Sequence, residues 1–375
     1  MNELSVGVIG TGSIGSMLLW RLAARGVHAT GFEQYSPGHD RGAAGGESRI
    51  FRLAYREGPG YVPLLRQARE LWRELDSVSP HRLFYESGFV TVGAEDEPRM
   101  EAIRASARAH GLTIEELGAA EAARRVPEHP VRDGESMILD PAGGLIRPEL
   151  AVMAAAEQAR RLGAEVRSYT KVEEVVDEGG RVSVVTADGA QTFDHVVITT
   201  GPWVGGGLLP EGLPLQPKEL TATWFPRRDD DTFVLGRTPT AVRLGEPGFS
   251  CFPAVDGAGV KVIAHGAFGD IDDPENLPRT AEISAVRRAS RFVEEALPGV
   301  FPSPVRVATY SDAYTPDDHP IIGRLTQDSR VVLAVGFSGH GFKMAPAFGE
   351  ELAGIVVGES KPSLDFMGPG RFLSS

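Results

Sequence analysis

Residues 6–33 of the sequence read VGVIGTGSIGSMLLWRLAARGVHATGFE and decide the fold. The first four residues predict a short apolar strand, the GTGSIG run predicts a tight turn, and the apolar residues after it predict a helix. A second short strand ends at Glu33, about twenty residues after the glycines. A strand, a glycine-rich turn, a helix and a distal acid therefore occur together and in the order that a nucleotide-binding unit requires.

Each glycine of this turn has a separate physical role. Gly10 permits the tight strand-to-helix turn, Gly12 lets the backbone approach a pyrophosphate, and Gly15 lets the helix pack close to the strand. The helix N-terminus offers free N–H groups and the positive end of its dipole to phosphates, and Glu33 can accept hydrogen bonds from both ribose hydroxyls. The sequence predicts a dinucleotide site, and the alternative is a tight turn without a ligand.

A second glycine-rich turn, near the other end of the chain, narrows the choice of dinucleotide. Residues 330–335 predict a buried strand, residues 336–341 (GFSGHG) a turn, and residues 345–357 a helix. A nicotinamide dehydrogenase needs one such turn, whereas an extended FAD commonly needs a second, where a helix N-terminus stabilises the charge of the reduced ring. We therefore predict FAD rather than NAD, and the alternative for residues 336–341 is a plain tight turn. Residues 201–203 (GPW) follow another predicted strand and offer a further close approach of backbone to ligand.

The composition excludes several classes of partner. The 375 residues suffice for two domains, and 42% apolar with 24% charged residues is typical of a soluble globular protein. The net charge of −13 argues against nucleic acid or an anionic membrane surface as the main partner. The single cysteine, Cys251, excludes an internal disulfide and favours a cytoplasmic location. We expect no membrane span and no metal site, and either a monomer or a simple homo-oligomer.

The order of elements predicts an α/β fold with two discontinuous domains. Helices are predicted at 98–110, 148–162 and 280–297, and strands at 171–176, 181–186, 196–200 and at several places within 221–265. We predict a Rossmann-like FAD domain made of residues 1–88, 145–217 and 306–375. A mostly antiparallel β-sheet substrate domain, flanked by helices, would consist of residues 89–144 and 218–305.

Three cations occupy positions that invite a functional interpretation. Arg49 and Arg52 lie three residues apart, and on a helical turn this spacing would place both guanidinium groups on one face. Lys261 alternates with Val260 and Val262 in an apolar strand, where a lysine must snorkel, form an ion pair or serve chemistry. The alternatives are surface arginines and a strand lysine held in a salt bridge.

Six motifs distributed over nearly the whole chain together point to one family. They are GTGSIG at 10–15, SRIFRLAY at 48–55, YVPL at 61–64, G-x-K-x-x-x-H at 259–265, D-x-H-P-I-I-G at 317–323 and GFSGHGFK at 336–343. With these motifs the chain resembles the monomeric sarcosine oxidase and N-methyltryptophan oxidase group of the D-amino-acid-oxidase-like flavoenzymes.

The resemblance implies roles for the matched residues. Arg52 and Lys343 would hold the carboxylate of an amino-acid substrate, since an arginine fork fixes the plane of a carboxylate and a lysine adds a point charge. Arg49 would lie against the flavin ring and support its reduced, anionic form. Lys261 would lie beside the flavin and promote its reaction with oxygen. His265 and His340 would either exchange protons near the substrate amine or only form hydrogen bonds.

The predicted site is thus assembled from distant parts of the chain. The predicted catalytic residues are Lys261, His265, Arg49 and His340. The residues predicted to bind substrate are Arg52, Lys343, Tyr55, Ser250 and Asp312. The residues predicted to bind FAD are Gly10, Gly12, Ser13, Ile14, Gly15, Glu33, Gln34, Ser48, Arg49, Val172, Gly201, Trp203, Gly339, His340, Gly341, Phe342 and Lys343.

Two departures from the family pattern refine these expectations. Members of the group typically attach FAD through a cysteine shortly before the D-x-H-P-I-I-G motif, but the ungapped position here is Tyr310, so we predict FAD without a covalent link. Where sarcosine-type members usually carry tyrosines, this chain has Ser250 and Asp312. Smaller or acidic side chains there predict a larger pocket of changed polarity and a larger N-substituent than the methyl group of sarcosine.

These inferences predict an FAD-dependent oxidase that converts the C–N bond of an N-substituted amino acid to an imine. Hydrolysis would then release an oxo acid and an amine, and O₂ would be reduced to hydrogen peroxide. The alternatives are an amino-acid dehydrogenase that passes electrons to a carrier, and a glycine or D-amino-acid oxidase that acts on primary amines. A nicotinamide dehydrogenase and a non-catalytic nucleotide-binding module are more distant possibilities.

Overall fold

The computed structural model describes residues 4–257, 259–266, 268–277, 280–359 and 362–372. The predicted FAD domain begins at residue 1 and ends at residue 375, and both of these limits lie outside the described residues. The helices are α1 (Ser13–Ala24), α2 (Val62–Val78), α3 (Pro98–His110), α4 (Ala119–Arg125), α5 (Pro148–Arg161), α6 (Ile283–Ala296) and α7 (Ala345–Val356). The strands are β1 (Ser5–Ile9), β2 (His28–Phe32), β3 (Arg49–Phe51), β4 (Phe84–Tyr85), β5 (Phe89–Ala94), β6 (Glu115–Leu117), β7 (Glu135–Asp140), β8 (Gly144–Ile146), β9 (Glu165–Arg167), β10 (Val172–Asp177), β11 (Val182–Thr186), β12 (Gly189–Phe193), β13 (His195–Ile198), β14 (Gln216–Phe225), β15 (Thr240–Arg243), β16 (Phe249–Phe252), β17 (Val260–Ala264), β18 (Phe268–Asp270), β19 (Arg306–Tyr314), β20 (Ile321–Arg324) and β21 (Val331–Val335).

A six-stranded sheet forms the centre of the nucleotide-binding half, in the order β20-β21-β13-β1-β2-β9. All neighbouring strands are parallel except β20, which runs antiparallel to β21 at the edge. Helices α1, α5 and α7 pack together on one face, and the three-stranded sheet β10-β11-β12 contributes to the apolar layer on the other. The central strands β1, β13 and β21 bury nearly all of their residues because both faces of the sheet are covered there.

A nine-stranded sheet forms the other half, in the order β18-β14-β17-β16-β15-β5-β7-β6, with β19 paired to β14. Its side chains alternate between two environments, as the period of two in a strand requires. Cys251, Val260 and Val262 pack with the buried face of α6. Ser250 and Ile263, one residue away on the same strands, face a large cavity. The sheet therefore separates an apolar core from a ligand-sized space.

Most of the predicted elements are confirmed, and one local prediction is wrong. Arg49 belongs to β3, which pairs with β8, and Arg52 follows that strand, so the two arginines do not share a helical turn. The pairing with β8 is about a hundred residues distant in sequence, and a local periodicity argument cannot detect it. The sequence pattern does not predict helix α4 or strands β6 and β7. For α4 the reason is that the helix buries only Ala122 and shows no apolar stripe.

Strand pairing bears on the predicted domain limits. Strand β19 was assigned to the FAD domain, which was predicted to resume at residue 306, but all of β19 pairs with β14 of the nine-stranded sheet. By strand pairing, residues 306–314 therefore belong to the nine-stranded sheet. The division into two independently folded domains stays a prediction. Within the described ranges, none of the helices combines the length and the apolar character that a bilayer crossing requires.

Candidate functional site

A cavity of about 1080 Å³ lies between the two sheets. Its wall includes the turns that follow β1 and β21, the loop before β3, and the face of the nine-stranded sheet opposite α6. The volume slightly exceeds the range of typical small-molecule sites and suits a cofactor together with a substrate. Both of the predicted glycine-rich turns thus open into one space.

The turn after β1 is built as its sequence predicts. Gly10 has a positive φ of 87°, and a Cβ atom on it would lie 2.8 Å from the carbonyl oxygen of Thr199. A Cβ atom on Gly15 would lie 1.9 Å from the carbonyl oxygen of Gly10, so α1 can approach β1 only with glycine there. A Cβ atom on Gly12 would meet no atom within 4 Å and would instead enter the cavity. This empty cradle fits a phosphate group at the start of α1.

Glu33 is buried at the end of β2 and its carboxylate is held by the backbone. Its Oε2 atom accepts a hydrogen bond from the Thr11 N–H at 2.9 Å, and its Oε1 atom accepts one from the Tyr35 N–H at 3.0 Å. His39 Nε2 lies 3.5 Å from Oε1, and burial lowers the pKa of His39. Glu33 and Gln34 both line the cavity, which suits recognition of a ribose diol.

The turn after β21 forms the opposite wall. Gly336 and Gly339 have positive φ values of 70° and 74°, and a short 3₁₀ segment, Phe342–Met344, leads into α7. A Cβ atom on Gly339 would lie 2.6 Å from the hydroxyl oxygen of Tyr314. This turn presents residues 337–343 to the cavity, including the predicted FAD ligands of the second glycine motif.

The loop before β3 is fixed by charged groups from several elements. Arg49 donates to the carbonyl oxygens of Ala43, Gly45 and Ser48 at 2.5–2.8 Å, and burial lowers its pKa. Glu149, in the first turn of α5, accepts hydrogen bonds from the N–H groups of residues 46 and 47. The guanidinium of Arg49 is therefore held in a defined position in the cavity wall.

Lys261 holds the same loop from the nine-stranded sheet. Its side chain is 2% exposed, and Nζ donates to the carbonyl oxygens of Gly46 and Ser48 at 2.7 and 2.6 Å. Nζ also lies 4.0 Å from the centre of the Phe252 ring. Burial, and next the charge of Arg49, hold its pKa well below the usual value for lysine. Lys261 is not among the described residues that line the cavity, although Ile263 on the same strand is.

Arg52 and Lys343 form a buried cationic pair at one end of the cavity. Arg52 is 5% exposed and donates through Nη2 to Glu57 at 2.5 Å, while its buried Nε atom has no hydrogen-bond partner among the described residues. Lys343 Nζ donates to the carbonyl oxygen of His340 at 2.8 Å and to the Tyr55 hydroxyl at 3.4 Å. Burial, and next Arg52, lower the pKa of Lys343 to about 7. Glu57 is the carboxylate that contacts this pair.

Both predicted histidines are neutral near physiological pH. Burial, and next the nearby cation Lys343, lower the pKa of His340 to about 4. His340 Nε2 lies 2.7 Å from the carbonyl oxygen of Asp318, to which it must donate, so Nδ1 accepts from the Tyr55 hydroxyl at 2.9 Å. Burial lowers the pKa of His265 to about 4, and its Nε2 atom lies 3.0 Å from Ser250 Oγ. His340 thus has both nitrogens engaged and supports the site through hydrogen bonds.

Asp312 places an acid in the wall between the second glycine turn and the nine-stranded sheet. Its carboxylate accepts hydrogen bonds from the N–H groups of Gly339 and Ala313, both at 2.9 Å, and burial raises its pKa to about 6. Ser250 lines the cavity from β16. Both positions therefore face the ligand space with the small or acidic side chains that the sequence predicts.

The structure brings most of the predicted residues to the cavity wall. Four predicted residues contribute to the site from outside the wall: Gly15, Ser48, Tyr55 and Lys261. Tyr55 bonds to His340 and Lys343, so direct contact of Tyr55 with substrate stays a prediction. Sequence reasoning missed Arg56, Glu57 and Arg99, which line the cavity near Arg52. The proximity of Arg56 and Glu57 to the SRIFRLAY motif was the available signal.

The chain is similar to known proteins over most of its length. Residues 5–355 match the family model DAO, described as FAD dependent oxidoreductase. The chain is 31% identical to monomeric sarcosine oxidase of Bacillus sp. (strain B-0618), with 93% of this chain and 91% of that protein covered. It is also 31% identical to N-methyl-L-tryptophan oxidase of Salmonella agona (strain SL483), with 96% and 95% covered.

Solved structures show the same fold. NikD, an unusual amino acid oxidase essential for nikkomycin biosynthesis, aligns with a TM-score of 0.85 at 25% identity, covering 98% of both chains. Glycine oxidase from Geobacillus kaustophilus aligns with a TM-score of 0.79 at 19% identity, covering 99% of this chain and 98% of the other, which supports the fold alone.

These matches confirm the predicted fold class and the predicted cofactor, FAD. The cradle at Gly12, the backbone-held carboxylate of Glu33 and the second glycine turn fit the phosphate, ribose and ring portions of that cofactor. The resemblance drawn from the motifs is likewise confirmed over most of the chain. The chain belongs to the DAO family of FAD-dependent oxidoreductases.

Proposed function

We propose that this enzyme oxidises the C–N bond of an N-substituted amino acid and uses O₂ as the electron acceptor. The substrate loses two electrons and two protons to become an imine, and water hydrolyses the imine to an oxo acid and an amine. O₂ takes up the electrons and protons and becomes hydrogen peroxide. For an N-substituted glycine the oxo acid is glyoxylate. FAD supplies the redox chemistry by accepting a hydride equivalent from the substrate and passing the electrons to oxygen.

The observation that carries the proposal is the buried pair Arg52 and Lys343 in the cavity wall. A substrate carboxylate in the cavity can be bound by the guanidinium of Arg52 and by the Lys343 ammonium, both of which belong to the cavity wall. Two cations in a partly dry wall attract a carboxylate more strongly than the same groups would in water. Binding there fixes the orientation of the α-carbon, which is catalysis by positioning.

The neighbouring groups keep this anchor in place. His340 accepts from Tyr55 and is itself held by the carbonyl of Asp318, so the backbone oxygen that receives Lys343 is fixed. Because the pKa of His340 is lowered to about 4, this histidine adds no charge near neutral pH. The anchor thus consists of Arg52 and Lys343, partly balanced by Glu57.

We further propose that Lys261 favours the reaction with oxygen. Its amine is buried, held by two carbonyl oxygens, and lies next to the loop that carries Arg49. Burial lowers the pKa of Lys261, but the two carbonyl oxygens favour its ammonium form, and a positive charge there would stabilise superoxide as it forms. Lys261 itself lies outside the cavity wall, but the loop that it holds leads into Arg49, which lines the cavity. We therefore propose that Lys261 acts on the cofactor site through this loop.

We also propose that FAD is held without a covalent bond to cysteine. The sequence contains one cysteine, and Cys251 is fully buried on the face of β16 that packs against α6. Tyr310, at the position where the family pattern has its cysteine, lines the cavity instead. Burial raises the pKa of Cys251 above its ordinary value, which makes its thiol unreactive.

The test begins with the absorption spectrum of the purified protein, which must show bound flavin. Anaerobic titration with a panel of N-alkyl amino acids and their primary-amine counterparts should bleach the flavin with the secondary amines. In air, each mole of O₂ consumed should yield one mole of peroxide. Bleaching without peroxide would identify a dehydrogenase that uses a carrier, and bleaching by primary amines alone would identify a glycine or D-amino-acid oxidase. Bleaching by no member of the panel would overturn the proposal.

A further inference from the structure

The cavity wall next to Arg52 carries two more arginines that no part of the proposed reaction uses. Arg56 follows Arg52 by four residues, and Arg99 lies in the first turn of α3. Both line the cavity together with Glu57. Elements from distant parts of the sequence therefore bring a group of cations to the substrate end of the cavity.

The contacts within this group leave donors without partners. Arg56 Nε donates to Glu57 at 3.1 Å, and its buried Nη1 atom has no hydrogen-bond partner among the described residues. Arg99 is bound through its Nε and Nη2 atoms to Glu97, and its side chain is 46% exposed at the edge of the cavity. The Arg56 side chain as a whole is 24% exposed, so parts of both arginine side chains can be reached from the cavity that they line.

Cations outnumber carboxylates in this part of the cavity wall. Four cations, Arg52, Arg56, Arg99 and Lys343, share two carboxylates, Glu57 and Glu97. One substrate carboxylate would still leave this wall with surplus positive charge. A second carboxylate would offset the surplus.

The residues beside this surface are neutral and polar. His265 and Ser250 line the cavity and are hydrogen-bonded to each other. Burial is the largest cause of the lowered pKa of His265, and among the cations Arg56 and then Arg99 lower it most. His265, Arg56 and Arg99 all line the same cavity.

We propose that the natural substrate is a secondary amino acid with a second carboxylate, which binds Arg56 and Arg99 while the α-carboxylate binds Arg52 and Lys343. This inference rests on the proposed function and defines its substrate class as dicarboxylic. The second acid belongs either to the amino-acid side chain or to the N-substituent, and both sources present the same carboxylate to the arginines.

Matched pairs of compounds test the inference and distinguish the two sources. N-methyl-L-aspartate is compared with N-methyl-L-asparagine, and iminodiacetate with its monoamide, so that each pair differs only in one charge. Flavin reduction is followed anaerobically in the holoenzyme, and kcat/KM is measured in air. We expect the diacid of at least one pair to be preferred roughly tenfold or more, since a charged hydrogen bond in a partly buried site has about that value. The pair that shows the preference identifies the source.

Two variants and a control tie the preference to the proposed residues. Arg56→Gln and Arg99→Gln should each reduce the ratio of diacid to monoamide activity, with the larger loss for the more buried Arg56. Arg108→Gln is the control, because Arg108 is an exposed arginine on the same helix that pairs with Glu101 and lies outside the cavity wall. Arg99 is exposed enough that its replacement should leave folding intact, which keeps the test valid if Arg56→Gln is unstable.

The outcomes separate this inference from the proposed function. Equal activity with acids and amides, or a ratio that neither arginine variant changes, would overturn the inference and leave the oxidation of secondary amino acids standing. Failure of every secondary amino acid, charged or neutral, to reduce the flavin would overturn both.

Discussion

The lowered pKa of Lys343 provides a quantitative test of the carboxylate anchor. Burial, and next Arg52, lower this pKa from 10.5 to about 7, and such a shift corresponds to roughly 5 kcal/mol of destabilisation of the ammonium relative to the neutral amine. Because the folded pKa is lowered, the amine is charged below about pH 7 in the free protein and neutral above it. A bound carboxylate favours the charged form, so that binding above this pH requires uptake of a proton.

The dissociation constant of a simple carboxylate should therefore rise with pH. We expect it to increase by up to about tenfold per pH unit above pH 7, until the pH passes the pKa of Lys343 in the complex. In Lys343→Met this slope should disappear. At about pH 6 the variant should bind roughly ten to one hundred times more weakly, because a charged hydrogen bond contributes about 1.5–3 kcal/mol.

The measurement uses propionate, which has no amine and so does not itself titrate above neutral pH. Its binding is followed through the absorbance of the bound flavin at a series of pH values from about 6 to 9. Asp312 titrates nearby because burial raises its pKa to about 6, and Asp312→Asn removes any inflection that it contributes. A flat profile in the wild-type protein, or an unchanged slope in Lys343→Met, would refute the assignment of Lys343 to the anchor.

Lys343→Met should bind carboxylates more weakly but should be thermally more stable than the wild type. The unfolded chain binds the lysine proton more readily than the folded chain between about pH 7 and 10.5, so the buried amine destabilises the fold most at and below pH 7. Lys343→Met should therefore melt at a higher temperature than the wild type near pH 6, with a difference that narrows as the pH rises. A lower melting temperature throughout would contradict this.

The remaining predictions concern the anchor, oxygen and the cofactor. Arg52→Ala should raise KM for an amino-acid substrate at least tenfold, because it removes one cation of the anchor and leaves Glu57 without its closest partner, and an unchanged KM would exclude Arg52 from the site. Lys261→Met should slow reoxidation of the reduced flavin by O₂ far more than it slows anaerobic reduction by substrate, and equal oxygen reactivity would contradict the proposed role. Gly12→Ala should weaken FAD binding but leave the melting temperature of the apoprotein unlowered, since its Cβ atom meets no protein atom. Gly15→Ala should lower that melting temperature, since its Cβ atom would lie 1.9 Å from a carbonyl oxygen. Precipitation in acid should leave the flavin in the supernatant, and a yellow pellet would show a covalent link.

The sequence predicted the two glycine turns well because their requirements are local. Three glycines within six consecutive residues supply these requirements, because each lacks a side chain. They give a positive φ at Gly10, space for a phosphate at Gly12 and close packing at Gly15. The amphipathic pattern of α2 and the proline that begins α5 are local signals of the same kind. Such features predict an element together with the part of the site that it carries.

The parts that the sequence did not predict depend on distant partners. Arg49 was expected on a helical turn, but it lies in β3 because β8 supplies the pairing strand. The group formed by Arg56, Glu57 and Arg99 arises only when α3 packs near the segment after β3, and no motif links these residues. The family resemblance supplied Arg52 and Lys343, because it already contains the three-dimensional information that periodicity lacks.

The two glycine-rich turns of the FAD site, residues 10–15 and 336–341, come from opposite ends of the polypeptide. Helices α1 and α7 pack so closely that a Cβ atom on Gly349 would lie 2.7 Å from the backbone of Met17. During translation, the first glycine turn leaves the ribosome long before the second exists, so flavin capture must wait until the last strand and helix emerge. Bound flavin therefore reports on full-length synthesis, and chains that terminate before residue 336 should accumulate without colour, however well their first half has folded.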